Sequence, residues 1–193
     1  MEFPKQIETE RLILKGLCQP SFEMATNIYH VVDESRATLR EWLPWVDKTN
    51  SPEDEYTNYL VDWCQKNWDK KTGFAYLIFQ KEDKSIVGCI DIFSVSEQNK
   101  SAEIGYWLSH AKKGQGYMTE AVHALEKEAF QQGINRIVIK TDTLNLPSAY
   151  VAKRCGYQLE GVLRQSLWSD FHRNLRDINV FAKLKSDLMR QRD

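Results

Sequence analysis

The stretch AEIGYWLSHAKKGQGYMTEAVHALEKEAFQQGINRIVIKTDT, residues 102–143, decides the architecture. Ala102 to Ser109 alternates as a strand does. Thr119 to Gln132 sets Ala121, Val122, Leu125 and Ala129 on one helical face and stops at Gly133. Ile137 to Thr143 is a second, β-branched strand. Strand, glycine turn, amphipathic helix and strand make one parallel crossover unit, and no second such unit is visible in the chain.

Working outward, Phe74 to Gln80 and Ile86 to Val95 are β-rich runs joined by the turn-like Lys81-Glu82-Asp83-Lys84, a hairpin. Arg11 to Leu17 alternates as another strand. From Ser21 to about Trp45 the period becomes helical, with Phe22, Ala25, Ile28 and Tyr29 on one face and Pro44 limiting the last turn. Ser51-Pro52-Glu53-Asp54 supplies a capping oxygen, a first-turn proline and acids at the positive helix end, so this acidic cluster marks a helix start. Pro147 to Cys155 is a short helix ended by Gly156, and Tyr157 to Leu184 forms a final pair of strands. The expected fold is α/β (α+β), with a mixed, mostly antiparallel sheet and helices on both faces. It forms one domain over residues 1–193, with its core at about 7–185.

Composition narrows the function. The chain has 193 residues, enough to bury roughly 70% of its unfolded surface in one core. A formal net charge of -1 argues against a broad basic field for nucleic acid or anionic membrane. No apolar run approaches the ~20 residues of a membrane span, and residues 1–11 lack the apolar core of a signal peptide, so a soluble, cytoplasmic protein is expected. Cys18, Cys64, Cys89 and Cys155 are scattered without a CxxC pair, and His30, His110, His123 and His172 never reach metal-ligand spacing. The cysteines read as free thiols, and no metal is expected.

Chemistry concentrates in Lys112 to Thr119, between strand and helix. Its glycines let a ligand approach the backbone, and the helix-start N–H groups with the positive dipole end suit a pyrophosphate. An ordinary strand-to-helix turn carries the same glycines; Lys112 and Lys113 favour phosphate. A Rossmann site would need a glycine where Thr119 stands, and a Walker loop would need GK[ST].

The segment Glu103-Ile104-Gly105-Tyr106-Trp107-Leu108, the turn Lys113-Gly114-Gln115-Gly116-Tyr117-Met118, and Asn145 with Ser148, Gly156 and Tyr157 together resemble the GNAT superfamily of N-acetyltransferases. Glu8-Thr9-Glu10-Arg11-Leu12 and Leu39-Arg40-Glu41-Trp42-Leu43-Pro44-Trp45 are similar to its Rim-type subgroup, which acetylates N-terminal amines of ribosomal proteins. The resemblance covers roughly Ile7 to Leu184. It implies acetyl-CoA as co-substrate in a cleft where strands 102–109 and 137–143 splay apart, with N–H groups from Gly114 to Thr119 on the pyrophosphate. Lys113 and Met118 depart from the usual Gln or Arg and Gly or Ala at those places. Lysine preserves the charge, and Met118 still offers its N–H.

Acetyl transfer to an amine needs an unprotonated amine, an oxyanion donor and a proton for the thiolate. Glu103 shares a strand face with Gly105 and Trp107, and is either a base acting through water or a strand glutamate in a cross-strand pair. The N–H of Leu108 at the splay is the oxyanion donor. Asn145 reads locally as a helix-start residue; the resemblance instead implies contact with the pantetheine arm. Many superfamily members carry an acid tyrosine seven residues beyond this asparagine, where this chain has Ala152; in the Rim-type subgroup a serine at the place of Ser148 fills that role. Tyr150 is expected to turn toward the core. Trp42, Trp45, Trp63 and Trp68 are expected to be mostly core, with one or two lining the acceptor pocket. Phe171-His172-Arg173-Asn174 is a hairpin tip, either a solvated turn or a contact with the acceptor or a second subunit.

The implied reaction is direct attack, in a ternary complex, of a protein N-terminal amine on acetyl-CoA. A small amine such as a polyamine or aminoglycoside is the alternative acceptor. A non-catalytic acyl-CoA-binding module is the alternative of another class. A homodimer is left open.

Overall fold

The computed structural model describes residues 1–190. In chain order its strands are β1 (Gln6–Glu8), β2 (Leu12–Gly16), β3 (Phe74–Gln80), β4 (Ile86–Ser96), β5 (Ser101–Leu108), β6 (Arg136–Asp142), β7 (Gln158–Ser169) and β8 (Asn174–Leu184). They form one sheet in the order β1-β2-β3-β4-β5-β6-β8-β7, antiparallel throughout except for the β5–β6 pair. The α-helices are α1 (Phe22–Leu39), α2 (Pro52–Asp54), α3 (Lys66–Asp69), α4 (Tyr117–Gln131), α5 (Leu146–Arg154) and α6 (Asp187–Arg190).

Each sheet face buries its own core. On one face Ile104, Ile137 and Ile139 meet Ala121, Val122, Leu125 and Ala129 of α4 and Ala152 of α5. On the other, Leu77, Cys89 and Trp107 meet Ala25, Ile28 and Val32 of α1 together with Leu60 and Cys64. The apolar stripe expected on residues 119–132 is therefore the stripe that covers the sheet. A buried ion pair also ties α4 to the sheet, Lys183 Nζ donating to Glu126 Oε1 at 2.6 Å and to the Cys155 carbonyl at 2.8 Å.

Two local expectations change, and one short strand was not foreseen. The helix from Ser21 stops at Leu39, and Pro44–Lys48 is a separate 3-10 turn, because Pro44 cannot continue an α-helix. Strand β1 is too short to show a period in sequence. It exists because β2 offers it an edge, with Ile7 opposite Leu14. The helix capped by Ser51 runs on as a π-helix over Glu55–Gln65 before α3, and a π-helix widens the side-chain spacing that a 3.6-residue period assumes.

Glu55, at the start of that π-helix, is fully buried with no hydrogen-bond partner on either carboxylate oxygen, and burial pushes its pKa up to about 7. An acid raised in the folded state destabilises progressively as pH climbs from its unfolded value of about 4.5 toward 7. Glu55→Gln is therefore expected to raise the melting temperature by a few degrees at pH 7.5, and the gain should shrink toward zero near pH 5 in a calorimetric pH series. A gain independent of pH would contradict this origin.

Candidate active site

The parallel pairing of β5 and β6 runs only from Ser101↔Arg136 to Glu103↔Val138. Beyond it each strand follows its antiparallel partner, β5 to Leu108↔Gly88 and β6 to Asp142↔Ile178, so a gap opens between them. The Ser109 N–H goes to the Val87 carbonyl at 2.9 Å. Alternation therefore turns the Leu108 N–H the other way, into the gap, where no strand accepts it.

The glycine turn lies at the mouth of this gap. Gly114 and Gly116 have φ of 76° and 79°, in the left-handed region that glycine enters at little cost. Gly116 caps α4 without any side-chain bond. Among the described residues no protein acceptor takes the N–H groups from Gly114 to Thr119. A run of unanswered backbone donors at a positive helix end fits a pyrophosphate. The adjoining cavity of about 720 Å³ is lined by Leu108, Lys113, Gly114, Gly116, Tyr117, Met118, Thr119 and Asn145. Tyr117 and Met118 bury their side chains in the core, which leaves their backbone to the cavity. The Gln115 side chain folds back, its Nε2 donating to the Ala111 carbonyl at 3.3 Å.

At the start of α5, Asn145 Oδ1 accepts the Ser148 N–H at 3.2 Å and so acts as the helix cap. Ser148 Oγ lies 3.2 Å from the Tyr106 hydroxyl, which donates to the Ser148 carbonyl at 3.0 Å. Burial pushes the Tyr106 pKa up to about 12, against the Ser148 hydrogen bond that lowers it, so Tyr106 stays protonated. Tyr106 shares the β5 face of Leu108, a placement that alternation alone would have disclosed. Tyr150 corrects an expectation. Rather than turning to the core it is 52% exposed and lines the cofactor cavity, because Ala149, Val151 and Ala152 supply the buried face of α5. Ala152, at the place where the resemblance implies an acid tyrosine in many superfamily members, is fully buried.

A second cavity, of about 420 Å³, continues the first through the gap. Trp42, Leu43, Tyr106, Asn145 and Ser148 line both. Of the four tryptophans weighed for the acceptor pocket, Trp42 alone lines it. Trp45 and Trp63 stack on Tyr59, and Trp68 packs on Phe74 and Tyr76. The hairpin tip reaches the same wall, with the His172 ring 6.1 Å from Trp42.

Glu103 sits where the gap begins and binds Lys140 Nζ at 3.0 Å, the cross-strand pair that its position allowed. Lys140 lines the second cavity. Acids not foreseen in the sequence flank it. Asp142 holds Arg176 through two bonds of 2.9 and 3.0 Å; burial works to raise its pKa, and the Arg176 and Leu144 hydrogen bonds outweigh it and hold the group below the usual carboxylate range. Glu41 also lines the cavity, as does Gly105, behind which stands Asp91, pushed up to about 7 by burial against the Gly105 N–H. A Cβ on Gly105 would lie 2.7 Å from Asp91 Oδ1, so the glycine makes room for that carboxyl. Among the described residues no group of His, Cys, Asp and Glu is placed to hold a metal ion, and no helix is long and apolar enough to cross a membrane.

A splayed parallel pair, unanswered N–H groups at a helix start and a second cavity meeting the first at Ser148 define an enzyme that binds a nucleotide-tethered acyl thioester and transfers its acyl group. The Acetyltransferase (GNAT) domain family matches residues 11–158, and the chain belongs to that family. It is an acetyl-CoA-dependent N-acetyltransferase. The ribosomal-protein-serine acetyltransferase of Escherichia coli (strain K12) is 32% identical over 158 residues, 81% of this chain and 85% of that protein. Among solved structures, RimL, a ribosomal alpha-N-protein acetyltransferase in complex with coenzyme A, superposes with a TM-score of 0.84 at 26% identity, covering 93% of this chain and 97% of that one. The microcin self-immunity acetyltransferase MccE, in complex with acetyl-CoA and AMP, superposes with a TM-score of 0.82 at 25% identity over 91% and 93%.

Proposed function

We propose that this enzyme acetylates the N-terminal amine of a protein, a ribosomal protein being the first candidate. The observation that carries the reading is the junction of the two cavities at Tyr106 and Ser148, where an acceptor entering from one side meets the donor held on the other. Kinship with proteins named as ribosomal-protein acetyltransferases supports the same acceptor. Lys113, the N–H groups of the Gly114–Thr119 run and the amide of Asn145 hold the donor. The acceptor amine attacks the thioester carbonyl carbon directly. The Leu108 N–H stabilises the oxygen as it gains charge, and Ser148 Oγ, held by its bond to the Tyr106 hydroxyl, gives its proton to the departing thiolate and is reprotonated from water. Glu103 acts through water to take the proton that the amine sheds.

Incubation with acetyl-CoA and a panel of free-N-terminus peptides, polyamines and aminoglycosides, read by mass spectrometry, tests the acceptor. Acetylated peptides with unmodified small amines are the expected result. Modification of the small amines alone would move the enzyme to the small-molecule reading. Binding of acetyl-CoA without turnover of any panel member would leave a binding module.

Glu103→Gln separates base from structural pair. An amine acceptor is mostly protonated at neutral pH, so a base is needed most there and least when pH approaches the amine pKa. The substitution is expected to slow turnover about 10²-fold near pH 7, a deficit that narrows as pH rises. A pH-rate profile parallel to wild type, with a lower melting temperature from the lost Lys140 pair, would remove Glu103 from the reaction.

A further inference from the structure

The Thr9-Glu10-Arg11-Leu12 segment, distant in sequence from every residue given a role above, closes on the back of the glycine turn. Glu120, in the first turn of α4, is its anchor. Glu120 Oε1 accepts the Thr9 hydroxyl at 2.6 Å and the Arg11 backbone N–H at 2.9 Å, and Oε2 accepts Arg11 Nε at 2.7 Å. Burial works to raise the Glu120 pKa, and these bonds outweigh it and hold the carboxyl below its usual range. So fixed, the guanidinium lies 4.7 Å over the Tyr117 ring, and its Nη1 donates to the Gln115 carbonyl at 3.0 Å.

That last bond sets a direction. The carbonyl of Gln115 and the N–H of Gly116 belong to one planar trans peptide and point opposite ways. Pinning the carbonyl back toward Arg11 therefore aims the Gly116 N–H forward. The turn needs such a hold, since two glycines at positive φ are its least constrained residues and its N–H groups, all unanswered, disfavour being aligned. Arg11 lines the cavity behind the turn, which it shares with Glu120 and Gly116, and not the one in front. Its charge is already answered by Glu120.

We infer that Arg11, oriented by Glu120 and Thr9, is a positioning residue that holds the glycine turn in its anion-binding form before the donor arrives. The inference rests on the reading of that turn as the pyrophosphate site. Such pre-organisation lowers the ordering cost of binding for the part of the ligand that meets the turn and for no other part.

The test measures dissociation constants of CoA and of acetyl-pantetheine, which lacks the pyrophosphate and nucleotide, for wild type, Arg11→Met, Arg11→Lys and Glu120→Gln, with melting temperatures recorded without ligand. Arg11→Met is expected to weaken CoA about tenfold or more and to leave acetyl-pantetheine within about twofold. Arg11→Lys should fare nearly as badly, because an ammonium keeps the charge but cannot bridge Glu120 and the Gln115 carbonyl as a planar fork does. Glu120→Gln, which loosens the anchor without touching the turn, should weaken CoA several-fold and decides the matter if Arg11→Met does not fold. Equal losses for both ligands, full rescue by lysine, or unchanged CoA binding would each overturn the inference. Failure of wild type itself to bind CoA would instead overturn the reading of the turn, and the brace with it.

Discussion

Gly116→Glu is expected to abolish the rise in melting temperature that acetyl-CoA gives the wild-type chain, with CoA affinity falling at least about 100-fold. A ligand that binds only the native state stabilises it by mass action, so the thermal shift reports occupancy directly. Three effects act together at this position. The residue sits at φ 79°, where a side chain strains the backbone. Its Cβ would emerge 3.5 Å from Arg11 Nη2, and the added carboxylate would draw that guanidinium off Gln115. Even behind the turn, the added charge weakens the positive potential of the helix start that awaits a pyrophosphate. Gly116→Asn isolates the charge, because asparagine tolerates the left-handed region and is neutral. It should keep a measurable shift. Wild-type-like CoA affinity in Gly116→Glu would remove the turn from the cofactor site.

Ser148→Ala is expected to lower turnover about 10²- to 10⁴-fold with a nearly unchanged Michaelis constant for acetyl-CoA. The serine hydroxyl donates to Tyr106 at 3.2 Å, and burial keeps Tyr106 protonated to about pH 12, so this orienting bond holds the serine proton throughout the working range. Alanine removes the donor and leaves both the Asn145 cap and the Tyr106 bond to the Ser148 carbonyl, which use backbone atoms. Folding should therefore be little affected. Tyr106→Phe should give a smaller loss, since it removes only the group that orients Ser148. Tyr150 is exposed on the cofactor cavity and is the rival acid. A crippled Tyr150→Phe beside a healthy Ser148→Ala would transfer the role to it.

Much of this site was legible because it is local. The turn from Lys113 to Thr119 needs only glycines at two positions and a helix behind them, and Asn145 and Ser148 share one cap. Their arrangement follows from spacing along a few residues. The partner of Glu103 was legible only as a type of contact, since Lys140 lies on a strand that reaches it through a crossover. Tyr150 was misread because a helix of this length can turn either side to the sheet. Which side is buried depends on how small residues such as Ala149 and Ala152 fit against β6, and spacing within the helix carries no record of that.

By itself, the sequence determined the order of β2 to β8 and of α1, α4 and α5, the stops at Gly133 and Gly156, the place of the glycine turn and the family likeness. These follow from backbone sterics and hydrophobic period, which act between neighbours in the chain. The tertiary structure alone decided where β5 leaves β6, that the two cavities meet at Tyr106 and Ser148, that Asp142 is engaged by Arg176, and that Arg11 reaches the turn more than a hundred residues away. Each of these is a contact between segments far apart in the chain. Their distance and orientation are set by the closing of the whole sheet around its two cores, and no local preference encodes them.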